Sequence, residues 1–254
     1  MNRVIEVEKV SKAFRLRHNR SNSLKSSFVG VFHKRYREEI ETFWALRDIT
    51  FAIEPGTTLG LIGKNGSGKS TLLKIIAGIY RPTQGEVRLP NGSRMGTMIE
   101  LGVGFHPDLT GTENVYLGAS LYGLSRCEIG RIYPSVVEFA ELQHFMDVPV
   151  KNYSSGMYLR LGFALAANLF PDVLLIDEIL AVGDEPFQKK CLKRIEEFRE
   201  NGGTIVFVSH DLGLVERICD RACLLDSGRL LYVGKPVEAV SRYKEVLASS
   251  DELL

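Results

Sequence analysis

Gly63-Lys64-Asn65-Gly66-Ser67-Gly68-Lys69-Ser70 has the spacing G-x-x-x-x-G-K-[ST]. Glycines at 63, 66 and 68 let the backbone fold back until several N–H groups aim at one point, a nest for phosphate. Residues 58–62 (TLGLI) read as a buried strand in front of the loop, and 71–77 (TLLKIIA) as the helix behind it. The N-terminus of that helix adds the positive end of its dipole to the nest. In this setting Lys69 would reach the β- and γ-phosphates of a nucleotide and the Ser70 hydroxyl would sit on Mg²⁺. A chance glycine-rich turn would leave the order strand, loop, Lys-Ser, helix unexplained.

Two further apolar runs end in polar groups. Residues 172–176 run into Asp177-Glu178, and residues 203–208 run into Ser209-His210-Asp211. In open α/β sheets ligands bind at the C-terminal tips of strands, so three such tips point to one site. Asp177 is placed to hold Mg²⁺ through its water shell. Glu178 is placed to orient and polarise a water for attack on the γ-phosphorus. His210 would hydrogen-bond the γ-phosphate or that water. The plainer readings are a solvated strand end and a structural histidine; the loop at 63–70 weighs against both.

These groups need a scaffold, and the chain supplies one. It has 254 residues, enough for a substantial core, and a formal net charge of +1, so no global field favours nucleic acid. No apolar run is long enough to span a bilayer, and the N-terminus lacks the apolar stretch of a signal peptide, so residence in the cytoplasm is expected. Four cysteines show no metal-ligand spacing and are expected reduced. Strands are expected at 3–10, 44–53, 85–89 and 93–99, and helices at 112–121, 127–139, 158–169, 185–200 and 236–247. Pro134 is expected to interrupt the second of these helices. A hairpin is expected around Asp226-Ser227-Gly228. Alternating apolar strands and helices argue for an α/β parallel core.

The segment from Arg15 to Arg37 breaks this pattern, with seven Lys/Arg, no Asp or Glu, and interleaved apolar residues such as Phe28 and Phe32. Two readings stay open for it: a solvated basic loop, or an amphipathic element facing anionic headgroups or a membrane partner.

Together the motifs resemble the nucleotide-binding subunits of ABC transporters, over nearly the whole chain and in that family's order. The P-loop is 63–71, Thr71 included; the signature stands as Tyr153-Ser154-Ser155-Gly156-Met157; Asp177-Glu178 closes the Walker B strand; Ala181-Val182-Gly183-Asp184 is the D-loop; His210 is the switch histidine. The resemblance implies an ATPase of α/β fold: a P-loop (RecA-like) core with a mostly parallel sheet, an antiparallel β subdomain and a helical subdomain. It implies one domain over 1–254, with a basic insertion at 15–43, a helical subdomain at about 98–165 and a C-terminal hairpin and helix at about 221–254. Phe14 holds the place of the aromatic that stacks on adenine, with Trp44 and Tyr36 as alternatives. The implied ligands are ATP and Mg²⁺, the ion held by Ser70 and Asp177. Family members work as dimers, so Ser154, Ser155, Gly156 and Asp184 are expected near the ATP bound by a second copy.

Two departures stand out. Where the family carries a Q-loop glutamine, this chain has Glu100, which can ligate Mg²⁺ but cannot donate a hydrogen bond as an amide does. The signature has Ser155 and Met157 in place of glycine and glutamine. Both departures, with the stretches 100–117, 153–166 and 177–191, are similar to the subgroup that exports polysaccharides such as O-antigen and teichoic acids. That similarity implies an integral-membrane permease as partner, in two copies by the family's plan, a lipid-linked polysaccharide as cargo, and a peripheral position on the cytoplasmic face of the inner membrane. No nucleic-acid partner and no carbohydrate-binding domain are expected. The alternatives are an ABC ATPase for another cargo (drug, lipid or peptide), a soluble ABC ATPase working on nucleic acid or ribosomes, and a small-molecule phosphotransferase.

Overall fold

The computed structural model describes residues 5–18, 39–89, 92–99, 101–102, 104–169, 171–177 and 183–251. Strands β1 (Ile5–His18) and β2 (Glu39–Ile53) pair antiparallel, and β4 (Gln84–Arg88) pairs with the other side of β1. Between β2 and β4 come β3 (Thr58–Ile62) and helix α1 (Lys69–Ile76). The second sheet is built from β3, β5 (Met95–Met98), β6 (Val173–Asp177), β7 (Thr204–Val208), β8 (Arg221–Asp226) and β9 (Arg229–Gly234). Its order is β5-β6-β7-β3-β8-β9, parallel except for the β8–β9 hairpin. Both faces of a parallel sheet are covered, so its strands read as continuous apolar runs. All five residues of β3 and all five of β7 are buried.

Three apolar cores follow from this layering. The first packs Ile5, Val10, Leu46 and Ile53 of the antiparallel sheet against β3 and against Leu72 and Leu73 of α1. The second fills the opposite face of the parallel sheet, with α5 (Glu185–Glu200), α6 (Leu212–Ile218) and α7 (Pro236–Asp251) over it. The third is formed by α2 (Gly111–Leu121), α3 (Arg126–Ala140) and α4 (Ser155–Ala167) around Val115, Ile129, Val136 and Leu161. Phe139, Phe163 and Phe187 join the second and third cores, with ring centroids 5.7–6.2 Å apart. Fully burying a side chain such as Phe163 stabilises the fold by about 1.5–3 kcal/mol. Among the described residues no helix is long and apolar enough to cross a membrane.

Four elements differ from the sequence expectation. Strand β1 does not stop at Val10 but runs to His18, and β2 begins at Glu39 rather than Trp44. The pairing continues through Arg15↔Thr42 and Leu16↔Glu41, where Phe14, Arg15, Leu16 and Arg17 keep the period of two of a strand. Residues 15–18 of the basic segment thus belong to β1; residues 19–38, Tyr36 among them, lie outside the described residues. Pro134 does not interrupt α3, which is capped by Ser125 and Glu128 in a reciprocal box and anchored by buried Ile129, Val136 and Ala140. Pro134 itself is exposed, where the loss of one N–H bond bends a helix less harmfully than inside a core. Helix α6, short and capped by Asp211, was not expected at all.

Candidate functional site

Strand register brings the three polar tips together. Val208 on β7 pairs with Leu61 of β3 on one side and with Asp177 of β6 on the other. Gly63, Asp177 and Ser209 therefore leave the C-terminal edge of the sheet side by side. Met98 pairs with Ile176, so the chain beyond β5 also starts at this edge. Glu178, Glu100, Ala181 and Val182 lie outside the described residues. Asp177 is half-buried, and His210 is exposed just past buried Ser209, whose Oγ accepts from the Asp211 N–H at 3.0 Å.

The loop after β3 is shaped for an anion. Gly63 has φ 147°, and a Cβ there would lie 2.1 Å from the Leu225 carbonyl oxygen. Gly66 has φ 79°, and a Cβ there would meet open space. At Gly68, which precedes α1, no side chain caps the helix, and its first turn carries no acid. The N–H groups that open α1 thus face the loop without a side-chain acceptor. Lys69 is buried, with Nζ donating to the carbonyls of Gly63 at 2.8 Å and Lys64 at 3.0 Å. The Ser67 Oγ is buried without a hydrogen-bond partner. These donors are of the kind that phosphate oxygens accept from. Lys64, Asn65 and Ser70 lie at the accessible rim and Thr71 begins the body of α1.

Gly63→Ala is expected to destabilise the fold by at least about 1–3 kcal/mol, the usual range for a non-glycine residue in a strained backbone region. Differential scanning calorimetry would show a lowered Tm with nucleotide binding lost beside it; an unchanged Tm would contradict the geometry.

The turn between β8 and β9 holds the loop from behind. Ser227 (φ 48°) and Gly228 (φ 76°) make a tight hairpin turn. The Gly228 N–H donates to the Ser67 carbonyl at 3.1 Å, while the Gly228 carbonyl accepts from the Arg47 N–H at 2.8 Å. The sequence marked Asp226-Ser227-Gly228 as a hairpin but gave no sign of this second role, which arises only when β8 pairs with β3.

Two candidate adenine-stacking aromatics sit on the β1–β2 ribbon, where Phe14 pairs with Phe43 and Ala13 with Trp44. The Phe14 ring meets Tyr80 edge-on at 5.7 Å, with Lys12 Nζ 5.2 Å from its centre. Trp44 is half-buried and precedes Ala45, whose carbonyl oxygen would lie 2.8 Å from a Cβ at Gly68.

The residues 153–157 lie in a different core from the phosphate loop. Ser154 caps α4, its Oγ accepting from the Met157 N–H at 3.2 Å, with Ser155 and Gly156 opening the first turn. Ser154 and Ser155 are exposed. The Tyr153 hydroxyl donates to the Phe145 carbonyl at 2.7 Å, and burial pushes its phenol up to about 12, so it stays a donor at neutral pH. Asp184 caps α5, accepting from the Phe187 N–H at 3.3 Å and from Arg160 at 2.8 Å. Arg160 also pairs with Glu141 at 3.2 Å and lies over the Phe187 ring at 4.8 Å. These pairs are half-exposed, so they fix orientation more than they add stability.

Among the described residues no group of three or more His, Cys, Asp or Glu is assembled for a metal. A cleft of about 580 Å³ between Pro55, Pro171, Arg194 and Phe198 opens at the opposite edge, where β6 and β7 begin. Ligands of parallel sheets bind at the other end, and the phosphate-shaped loop is there.

A family model described as "ABC transporter" matches residues 46–181. The chain is 43% identical, over 98% of its length and all of the relative's, to an O-antigen export system ATP-binding protein of Klebsiella pneumoniae. It is 45% identical over 97% of its length to the protein of the same description from Myxococcus xanthus, of which it spans 57%. The structure of an ATP binding subunit of an ABC transporter superposes with a TM-score of 0.72 at 26% identity, covering 91% of this chain and 90% of that one.

Proposed function

The chain belongs to the ABC transporter family, and from that premise we propose that it is the ATP-hydrolysing motor subunit of an exporter of lipid-linked polysaccharide, O-antigen or a similar cell-surface glycan. One observation carries the chemical part of this reading: Gly63, Asp177 and Ser209 leave three register-matched strands at one sheet edge, beside an uncapped helix. Similarity to O-antigen export proteins, end to end for the Klebsiella relative, supports the cargo.

Each protomer holds a triphosphate through the N–H groups that open α1 and through Lys69, whose Nζ exchanges loop carbonyls for phosphate oxygens. Ser70 and Asp177 would hold Mg²⁺, completed by phosphate oxygens and water, with Glu100 as a further oxygen ligand. The ion supplies charge neutralisation at the β- and γ-phosphates. Glu178, next in the chain after Asp177, orients the attacking water and takes its proton. His210, exposed at the tip of β7, hydrogen-bonds the γ-phosphate or that water.

Ser154, Ser155 and Gly156 are exposed or half-exposed at the start of α4 and belong to another core than the loop. They complete the pocket of a second copy, with Asp184 at the seam. ATP therefore adds contacts to the closed dimer only, and that difference drives closure. Near-complete closure takes about 5.5 kcal/mol of differential binding. Hydrolysis removes those contacts and the protomers part. A permease with its own transmembrane helices turns this cycle into movement of the glycan, with the motor seated on the cytoplasmic face of the inner membrane. The single-domain layout, with the insertion at 15–43 and the helical subdomain at about 98–165, suits that placement, and the basic insertion would face the permease or the lipid diphosphate.

Pull-down of the tagged chain from detergent-solubilised membranes of its host, followed by reconstitution, tests this reading. The expected partner is a polytopic membrane protein, with ATPase activity stimulated by lipid-linked glycan. Recovery of a permease whose ATPase responds to a drug or peptide instead would overturn the cargo.

A further inference from the structure

Asn114 on α2 has 0% of its surface exposed, yet it is polar, and nothing in the nucleotide chemistry uses it. Its side chain is saturated by one short loop. Oδ1 accepts from the His106 N–H at 2.6 Å, and Nδ2 donates to the carbonyls of His106 (3.1 Å), Leu109 (3.0 Å) and Thr110 (3.0 Å). A buried amide with this many partners specifies one loop conformation: its loss strands the His106 N–H that faces it and removes three bonds to carbonyls that otherwise keep one backbone donor each, from Leu109, Val150 and Asn114.

The loop so fixed is the one that carries the approach to α4. The Val150 N–H donates to Leu109 and the Lys151 N–H to Pro107, both at 3.0 Å. Thr110 forms an isolated bridge with Pro149, and the Gly111 and Thr112 N–H groups donate to Val148 and Met146. From Val150 the chain makes one tight turn, with Tyr153 N–H donating back to Val150, and reaches Ser154. Side chains add an exposed pair, Lys151 to Asp108 at 2.8 Å. A second tie runs from α4 itself: the Tyr158 hydroxyl donates to the Gly102 carbonyl at 2.8 Å, and the Phe105 ring meets the Tyr158 ring edge-on.

We infer that Asn114 is a positioning residue for ATP hydrolysis: it sets the 106–110 loop against which residues 146–153 are laced, and thereby fixes where Ser154 and Gly156 stand. This rests on the reading that those two residues complete the ATP pocket of a second copy. Asn114 touches no nucleotide and acts in trans through the start of α4. Its own protomer's phosphate loop lies in another core and does not depend on it.

Asn114→Ala in the full-length chain tests the inference, with three readouts on the same preparation. Binding of a fluorescent ATP analogue to the dilute, magnesium-free monomer should stay within about twofold of the parent, since the P-loop half is untouched. In saturating ATP and Mg²⁺ the kcat should fall by about 100-fold, the scale of a misplaced catalytic arrangement. ATP-driven dimerisation should weaken in parallel with kcat. Lys151→Ala, which removes only the exposed pair, should alter each readout by less than about twofold. Tyr158→Phe keeps the ring and deletes one hydrogen bond, so it serves as a milder displacement of α4 and should show the same pattern at smaller size.

A kcat within about twofold of the parent for Asn114→Ala overturns the inference. So does a fall in monomer affinity that matches the fall in kcat, which would mark general damage. A parent chain that binds ATP but never dimerises would instead overturn the composite-pocket reading itself.

Discussion

Glu178→Gln is expected to bind ATP normally, to hydrolyse it about 10²–10⁴-fold more slowly, and to accumulate as a dimer. The amide keeps the size of the carboxylate and one acceptor oxygen but cannot accept the proton of the attacking water. Contacts that close the dimer depend on the γ-phosphate, and in this variant the phosphate persists. Size-exclusion chromatography in ATP and Mg²⁺, alongside a phosphate-release assay, reads both effects. A monomer with parental turnover would remove Glu178 from the chemistry.

Lys69→Ala is expected to act in the opposite sense. Its Nζ is buried and already shares its protons with the Gly63 and Lys64 carbonyls, so the ammonium is held where phosphate oxygens would arrive. Charge-assisted hydrogen bonds contribute about 1.5–3 kcal/mol each, which puts the loss in triphosphate affinity at about 10- to 10²-fold for one bond. The variant should show weak binding by isothermal titration calorimetry, no ATP-driven dimer and turnover near background. Affinity within about twofold of the parent would contradict the role given to Lys69. Together the two variants separate steps: one binds and cannot finish, the other cannot start.

Much of this was legible before any coordinates. The loop at 63–70 announces itself through glycine spacing, and β3, β6 and β7 through short apolar runs that only a two-sided parallel sheet requires. Glu185–Glu200 was readable to its ends because Asp184 caps it and its apolar positions keep helical period. Register was not legible: that Val208 stands between Leu61 and Asp177 is a fact of strand order, and strand order is non-local. The extension of β1 to His18 was hidden because the alternation Phe14-Arg15-Leu16-Arg17 runs straight into the basic segment and reads as part of it. Pro134 misled because local propensity was overruled by the packing of Ile129, Val136 and Ala140. The role of Gly228 behind Ser67 was silent in the sequence because the two residues are far apart in the chain; the hub at Asn114, whose partners lie only four to eight residues away, was silent because no local pattern marks that amide as buried.

The most direct test is a structure of the Glu178→Gln chain solved with ATP and Mg²⁺. Two protomers should enclose two nucleotides, with the Ser154 hydroxyl and the Gly156 N–H about 3 Å from γ-phosphate oxygens held by the other protomer's Lys69. Nucleotides each enclosed by a single chain, with Ser154 and Gly156 far from every phosphate, would contradict the composite pocket and the motor built on it.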